Sequence, residues 1–257
     1  MIFPGSSAPT SFMPETPPIG KPPQVVFPGL FAFPPNRETL GGTAYWIEAE
    51  GGILVDCPPW TKATQAFLAH RSVRWLFLTQ RDAIASINRV KEIQQALGCQ
   101  IMLQEQEAYL LPGLAITSFH HEQFLSDTAP GAPGSSLAHS STALVALWTP
   151  GFSPGAACLY WRGEQVESQK GVLFTGRHLL PSKAGLAEPL RTAKTFHWPR
   201  QLKNVAMLRE RFTPGLLEYF CPGASIGFLR GRHAIPNAYE QLTTLNLDML
   251  KRAQPGL

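Results

Sequence analysis

The sequence predicts a layered α/β protein, and three observations predict it. Apolar runs of strand length recur along the chain, at Val73–Thr79, Gln100–Leu103, Ala143–Leu147, Ala157–Trp161 and Gly171–Thr175. Segments with helical spacing fall between some of them, which gives the strand–helix–strand alternation of an α/β domain. The chain has 257 residues, 44% hydrophobic and 16% charged. That is enough to bury one sizeable core, as a single large domain or a layered sandwich.

The elements follow in order. Residues 1–23 are rich in Pro, Ser and Gly. Proline fixes φ and removes a backbone donor, so this part is expected as an extended or disordered arm. A single domain is expected over residues 24–257. Val25–Phe27 and Leu30–Phe33, broken by Pro28-Gly29, predict edge strands. Thr43–Glu48 and Gly51–Asp56 predict a hairpin with a glycine turn, and Thr61 can cap a helix that runs to about His70. From Ser86 to Leu97, Ile87, Val90, Ile93 and Leu97 recur on one helical face, and Gly98 stops the helix. Glu105–Leu110 predicts a short helix. Residues 126–142 are rich in Ser, Gly, Pro and Ala and are expected as an inserted loop. A helix over about Pro199–Arg211, a strand at Leu216–Phe220 and a last helix over about Asn237–Lys251 complete the chain. That last helix is expected to bury Tyr239, Leu242, Leu245 and Met249.

Composition sets limits on function. The net charge is +4, a mild excess that allows a patch for RNA, an anionic membrane or an acidic partner without requiring one. The four cysteines form no CxxC pair, as in a reduced intracellular protein. No apolar run approaches the ~20 residues that span a bilayer. The first residues lack the basic and apolar regions of a signal peptide, so the expected location is cytoplasmic.

One stretch organises the chain: Trp148-Thr149-Pro150-Gly151-Phe152-Ser153-Pro154-Gly155-Ala156, set between two apolar runs. Two proline–glycine pairs force a tight, stiff loop that aims one side chain into a site. The loop resembles that of the metallo-β-lactamase superfamily, in which histidine stands where this chain has Phe152. Four further landmarks carry the resemblance over roughly residues 40–235: Ile53–Asp56, Phe77–Thr79 followed by a helix, Val172–Gly176, and Cys221-Pro222-Gly223 after a strand. The resemblance implies a four-layer αββα sandwich whose strand ends converge on one edge. In that family the edge holds one or two metal ions that activate water. The stretch Leu190–Arg200 also resembles a branch of cyanobacterial members of the superfamily.

The ligands implied by the resemblance are missing. The family's Thr-His-X-His-X-Asp-His corresponds to Thr79-Gln80-Arg81-Asp82-Ala83-Ile84-Ala85, and no histidine occurs between His70 and His120. The bridging aspartate corresponds to Arg177 and the last histidine to Ala224. An amide is a poor zinc ligand, a ring and a methyl offer no lone pair, and a guanidinium stays charged and repels a divalent cation. Zinc or iron is therefore not expected, nor any catalytic residue of the family type. Arg177 is expected to take the place of the metal charge and to pair with Asp82 or Asp56. Other candidates for the pocket are His178, His139 in the inserted loop, and Cys221.

Three functions compete at this stage. The first is a non-catalytic descendant that binds a protein or a small ligand. The second is a hydrolase of esters, thioesters or phosphodiesters with a rebuilt site of one metal or none. The third is an RNA-associated protein, because Arg191, Lys194 and Arg200 interleave with Phe196, His197 and Trp198.

Overall fold

The structure, a computed structural model, describes residues 18–125, 143–163 and 171–252. The arm before residue 18 and the loop expected at 126–142, with its His139, lie outside the described residues.

Seven strands form the first sheet in sequence order: β1 (Gln24–Phe27), β2 (Leu30–Ala32), β3 (Tyr45–Ile47), β4 (Ile53–Val55), β5 (Trp75–Leu78), β6 (Gln100–Gln104) and β7 (Ile116–Phe119). The sheet is antiparallel from β1 to β4 and parallel from β4 to β7. The second sheet uses β8 (Glu122–Phe124), β9 (Ala143–Trp148), β10 (Ala157–Arg162) and β11 (Gly171–Gly176). A small ribbon of β12 (Leu180–Pro181) and β13 (Ala187–Glu188) precedes β14 (Leu217–Pro222), which joins the second sheet parallel to β11. Its strand order is β14-β11-β10-β9-β8. The helices are α1 (Lys62–Leu68), α2 (Ile87–Leu97), α3 (Trp198–Arg211), α4 (Ala238–Thr244) and α5 (Leu247–Lys251).

Alternation along the strands builds the layers. Ile53, Val55, Trp75 and Phe77 point into a core shared with Leu159, Trp161, Val172 and Phe174 of the other sheet. Leu54, Leu76 and Leu78 point the opposite way and meet Leu68 of α1 and Val90 and Ile93 of α2. On the second sheet Cys158, Tyr160 and Leu173 face Val205 and Leu208 of α3 and Leu242 of α4. Strands covered on both faces read as unbroken apolar runs, as Trp75–Leu78 does. The result is the expected αββα order. Tyr45 ties the two sheets together. Its ring meets Phe174 edge-on at 5.3 Å, and its hydroxyl reaches the carbonyls of Pro222 (2.8 Å) and His233 (3.1 Å).

Local signals act where expected. Thr61 and Ser86 accept from the Thr64 and Arg89 amides at the starts of α1 and α2, and Gly98 ends α2 at φ 63°. Of the two strands expected at an edge, only β1 is one; β2 lies inside the sheet between β1 and β3. The single C-terminal helix is in fact two. Leu245 leaves the helix at ψ 126°, and Asn246 caps a new one by accepting from the Met249 amide at 2.9 Å. Met249 is consequently 70% exposed and does not lie on an inner face.

Candidate functional site

The landmark residues converge where the strands end. Asp56 follows β4 in a left-handed conformation at φ 63°, with its amide donating to the Phe77 carbonyl at 2.8 Å. Thr79 follows β5, and its carbonyl accepts from the Ala157 amide at 2.8 Å, which joins the two sheets. The Gly223 amide donates to the Gly176 carbonyl at 2.7 Å. A Cβ on Gly223 would lie 2.8 Å from the Gly176 Cα, and one on Gly176 would lie 2.6 Å from the Thr79 hydroxyl. These approaches explain why Thr-Gly and Pro-Gly stand at the strand ends: the backbones touch there.

Asp56 is the first charged group of the site. Its carboxylate accepts from the Thr79 amide (2.8 Å) and hydroxyl (2.9 Å). Burial pushes its pKa up to about 7, and the two Thr79 bonds and the nearby Arg177 charge oppose that rise. Arg177, after β11, reaches across the strand ends. Its Nη2 donates to the carbonyls of Thr39 (3.0 Å) and Leu40 (3.2 Å), and its Nε lies 4.0 Å from Asp82 Oδ2. The Arg177 and Asp82 side chains are only 15% and 14% exposed. The guanidinium carbon also lies 5.9 Å from the centre of the Phe152 ring. One cation therefore faces Asp82, Asp56 and Phe152 together.

The other positions that the resemblance sets against family ligands are closed. Phe152, Gln80 and Ala224 are each 3% exposed. His178 is buried, both its ring nitrogens lack a hydrogen-bond partner among the described residues, and burial lowers its pKa to about 3. It is a neutral imidazole in the core. Its carbonyl accepts from Gln201 Nε2 at 3.0 Å, which fixes α3 to the turn after β11. Cys221, one of the candidates for the pocket, ends in the core. It is fully buried in the layer between the sheets, and burial raises its thiol far above the usual range.

The donors at these positions do not fit a metal ion. Among the described residues no three His, Cys, Asp or Glu side chains are grouped to hold an ion. The family positions offer one amide, one carboxylate already facing a guanidinium, an aromatic ring and a methyl.

Two parts of the site had no sequence signal. Glu107, from the 3-10 turn after β6, is 1% exposed and accepts from the Gly155 amide at 3.2 Å. Burial raises its pKa, and the Ser153 hydroxyl, the Gly155 amide and Arg81 pull it back. It therefore anchors the proline–glycine loop from below. The second part is the backbone of Thr39 and Leu40, whose carbonyls any residue type could supply.

The basic and aromatic stretch lies beside that loop. The Phe196 amide donates to the Phe152 carbonyl (3.0 Å) and the His197 amide to the Gly151 carbonyl (2.8 Å). His197 Nδ1 accepts from the Arg200 amide at 3.1 Å and so caps α3. Trp198 is buried, its Nε1 donating to the Leu250 carbonyl. Arg200 lies over Trp148 at 4.9 Å from the ring centre. Of the three aromatic residues in the stretch, only Phe196 and His197 face solvent.

Comparison of the sequence with family models and with curated proteins finds no match. Solved structures do match. A metallo-β-lactamase from Staphylococcus aureus shares 14% identity at a TM-score of 0.60, over 90% of this chain and 68% of the other. BJP-1, a subclass B3 metallo-β-lactamase of Bradyrhizobium japonicum, shares 17% identity at 0.56 over 93% and 96%. An archaeal metallo-β-lactamase superfamily protein from Sulfolobus tokodaii shares 12% identity at 0.55 over 87% and 85%. Identities this low speak for architecture alone, and on that ground the chain has the metallo-β-lactamase fold.

Proposed function

We propose that this protein has kept the metallo-β-lactamase fold without its metal chemistry and works as a non-catalytic binding or scaffold protein. The position of Arg177 carries the reading. A permanent cation stands where the family places a metal-bridging carboxylate, and it faces Asp82, Asp56 and the Phe152 ring. A guanidinium so placed supplies positive charge to the strand ends and repels a divalent ion from the same space. Its partners are protein or small-molecule ligands of a surface, with no bond broken in them. The four buried, unpaired cysteines favour a reducing compartment such as the cytoplasm. Among the described residues no helix is long and apolar enough to cross a membrane.

The test is a melting curve and a hydrolysis screen on the same sample. Zinc and EDTA are expected to leave the melting temperature unchanged. p-Nitrophenyl acetate, an acyl thioester and bis-p-nitrophenyl phosphate are expected to remain intact above the buffer rate. A zinc-dependent rise in melting temperature together with turnover of any of the three would replace this reading with that of a hydrolase with a rebuilt site.

A further inference from the structure

We infer that the groove between α3 and α5 binds a free fatty carboxylate, its chain against the apolar walls and its head group beside Lys203 and Arg209. The groove shares no residue with the strand-end site and is independent of the reading given to that site.

The groove has a volume of about 750 Å³, within the ~300–1,000 Å³ typical of small-ligand sites. Trp198, Leu202 and Ala206 line one wall, and Leu245 and Leu247 line the other. The first three recur every four residues, so they form one row along α3. Trp198 and Arg209 both belong to the lining, which therefore runs for ~16 Å along that helix. Spread over this length, the volume leaves a cross-section of roughly 50 Å², room for one extended chain and not for a helix about 10 Å across. Two side chains of α3 hold the opposite wall in place. Arg209 donates through Nε to the Leu242 carbonyl at 2.6 Å and through Nη2 to the Leu245 carbonyl, which caps the end of α4. Trp198 Nε1 donates to the Leu250 carbonyl at 2.9 Å, near the end of α5. The groove lies between these two posts, where Leu245 leaves α4 and Asn246 starts α5.

The polar groups around the groove select its occupant. Both walls are helical, so an extended peptide would meet no strand edge to bond its own backbone amides. An acyl chain needs no such partners. The charged residues of the lining are Lys203, Arg209, Lys251 and Asp248. Lys251 Nζ donates to Asp248 at 2.7 Å, and these two charges cancel. The bonds that Arg209 makes go to neutral carbonyls, so its charge remains. Lys203 is exposed and has no hydrogen-bond or ion-pair partner among the described residues. Glu210, the only acidic residue of α3, lies beyond Arg209 and does not line the groove. Two uncompensated cations beside apolar walls complement an anionic head joined to an apolar chain.

The experiment is isothermal titration calorimetry of the full chain with laurate below its micelle-forming concentration. Comparison probes are butyrate, which has the head without the long chain, and dodecyltrimethylammonium, which has the long chain with a cationic head. Phosphatidylglycerol vesicles are the third probe. Laurate is expected to fill one saturable site per chain, at least about tenfold more tightly than the cationic amphiphile, and butyrate is expected to give no saturable binding. Ala206→Leu puts a larger side chain into the space between the walls and is expected to weaken laurate binding by about tenfold or more. Lys203→Glu, at an exposed position without a partner, is expected to weaken laurate by about tenfold and to leave the cationic amphiphile bound at least as well. If Ala206→Leu melts lower than the parent, Lys203→Glu alone decides. Absence of saturable laurate binding, equal affinity for the two amphiphiles, saturable binding of butyrate, or parent-like affinity in a stable variant overturns the inference. Binding to vesicles without binding of free laurate also overturns it, in favour of a lipid surface.

Discussion

Arg177 Nε stands 4.0 Å from Asp82 Oδ2, and neither atom has a hydrogen-bond partner among the described residues. The two charges face each other without the short, forked contact that an arginine can make. Their attraction is therefore electrostatic and weaker than that of a fully bonded buried pair, whose disruption costs about 3–5 kcal/mol. Asp82→Ala is expected to lower stability by about 2 kcal/mol. Arg177→Met is expected to cost more, about 3 kcal/mol, because it also removes a donor from the Thr39 and Leu40 carbonyls and strips Asp56 of a nearby cation. Denaturant midpoints of the two variants and the double variant check both the order and the coupling. Independent, additive effects would show that the side chains do not interact.

The pH response of stability should come from two buried groups with opposite signs. Asp56 has a folded pKa raised to about 7. Between the ordinary aspartate range and 7 the folded state holds a proton that the unfolded state releases, so stability falls as pH rises through that window. His178 has a folded pKa lowered to about 3. Between 3 and the ordinary histidine range the unfolded state holds the extra proton, so stability rises with pH there. The two contributions offset each other from about pH 4 to 6.5. Asp56→Asn should leave a curve that rises with pH, and His178→Leu one that falls. Urea midpoints from pH 4 to 8 read these slopes, and identical slopes in both variants would contradict the assignment.

His178→Leu has a second expected effect. Both ring nitrogens are buried without partners, so the wild-type residue carries a desolvation cost that no hydrogen bond offsets. An apolar replacement of similar bulk should be neutral or should stabilise the protein by about 1 kcal/mol at pH 7. A loss of more than about 2 kcal/mol would mean that the imidazole is bonded in solution.

Glu107 anchors the loop that carries Phe152. Glu107→Ala leaves the Gly155 amide without its acceptor and is expected to cost about 1–3 kcal/mol. Amide exchange should speed up locally over residues 149–156 and leave β5 protected. Unchanged exchange in that loop would show that the carboxylate does not hold it.

The layers of this protein could be read from the sequence because its central strands are apolar on both faces. Runs such as Trp75–Leu78 and Val172–Phe174 have few alternatives to a doubly covered sheet. β7 and β8 were scarcely legible, since Thr117, Ser118, Glu122 and Gln123 leave little apolar pattern. The break at Leu245 was hidden because Leu242, Leu245 and Met249 keep helical spacing across it. The loop that carries Phe152 and the turn at Gly223 were legible because their proline–glycine pairs mark them. The contacts of Arg177 were only half legible: Asp82 was named as a possible partner, but backbone carbonyls carry no sequence signature. Glu107 was invisible, because a glutamate in a short polar helix reads as exposed and burial here depends on a loop 48 residues away.

The most direct measurement of the central claim is metal content. The protein should be produced in medium supplemented with zinc, iron and manganese, purified without chelator and analysed by mass spectrometry of the elements. The account predicts each of the three metals far below one equivalent per chain, with no gain after incubation in excess zinc and desalting. Close to one equivalent of any of them, lost from Asp82→Ala, would contradict it.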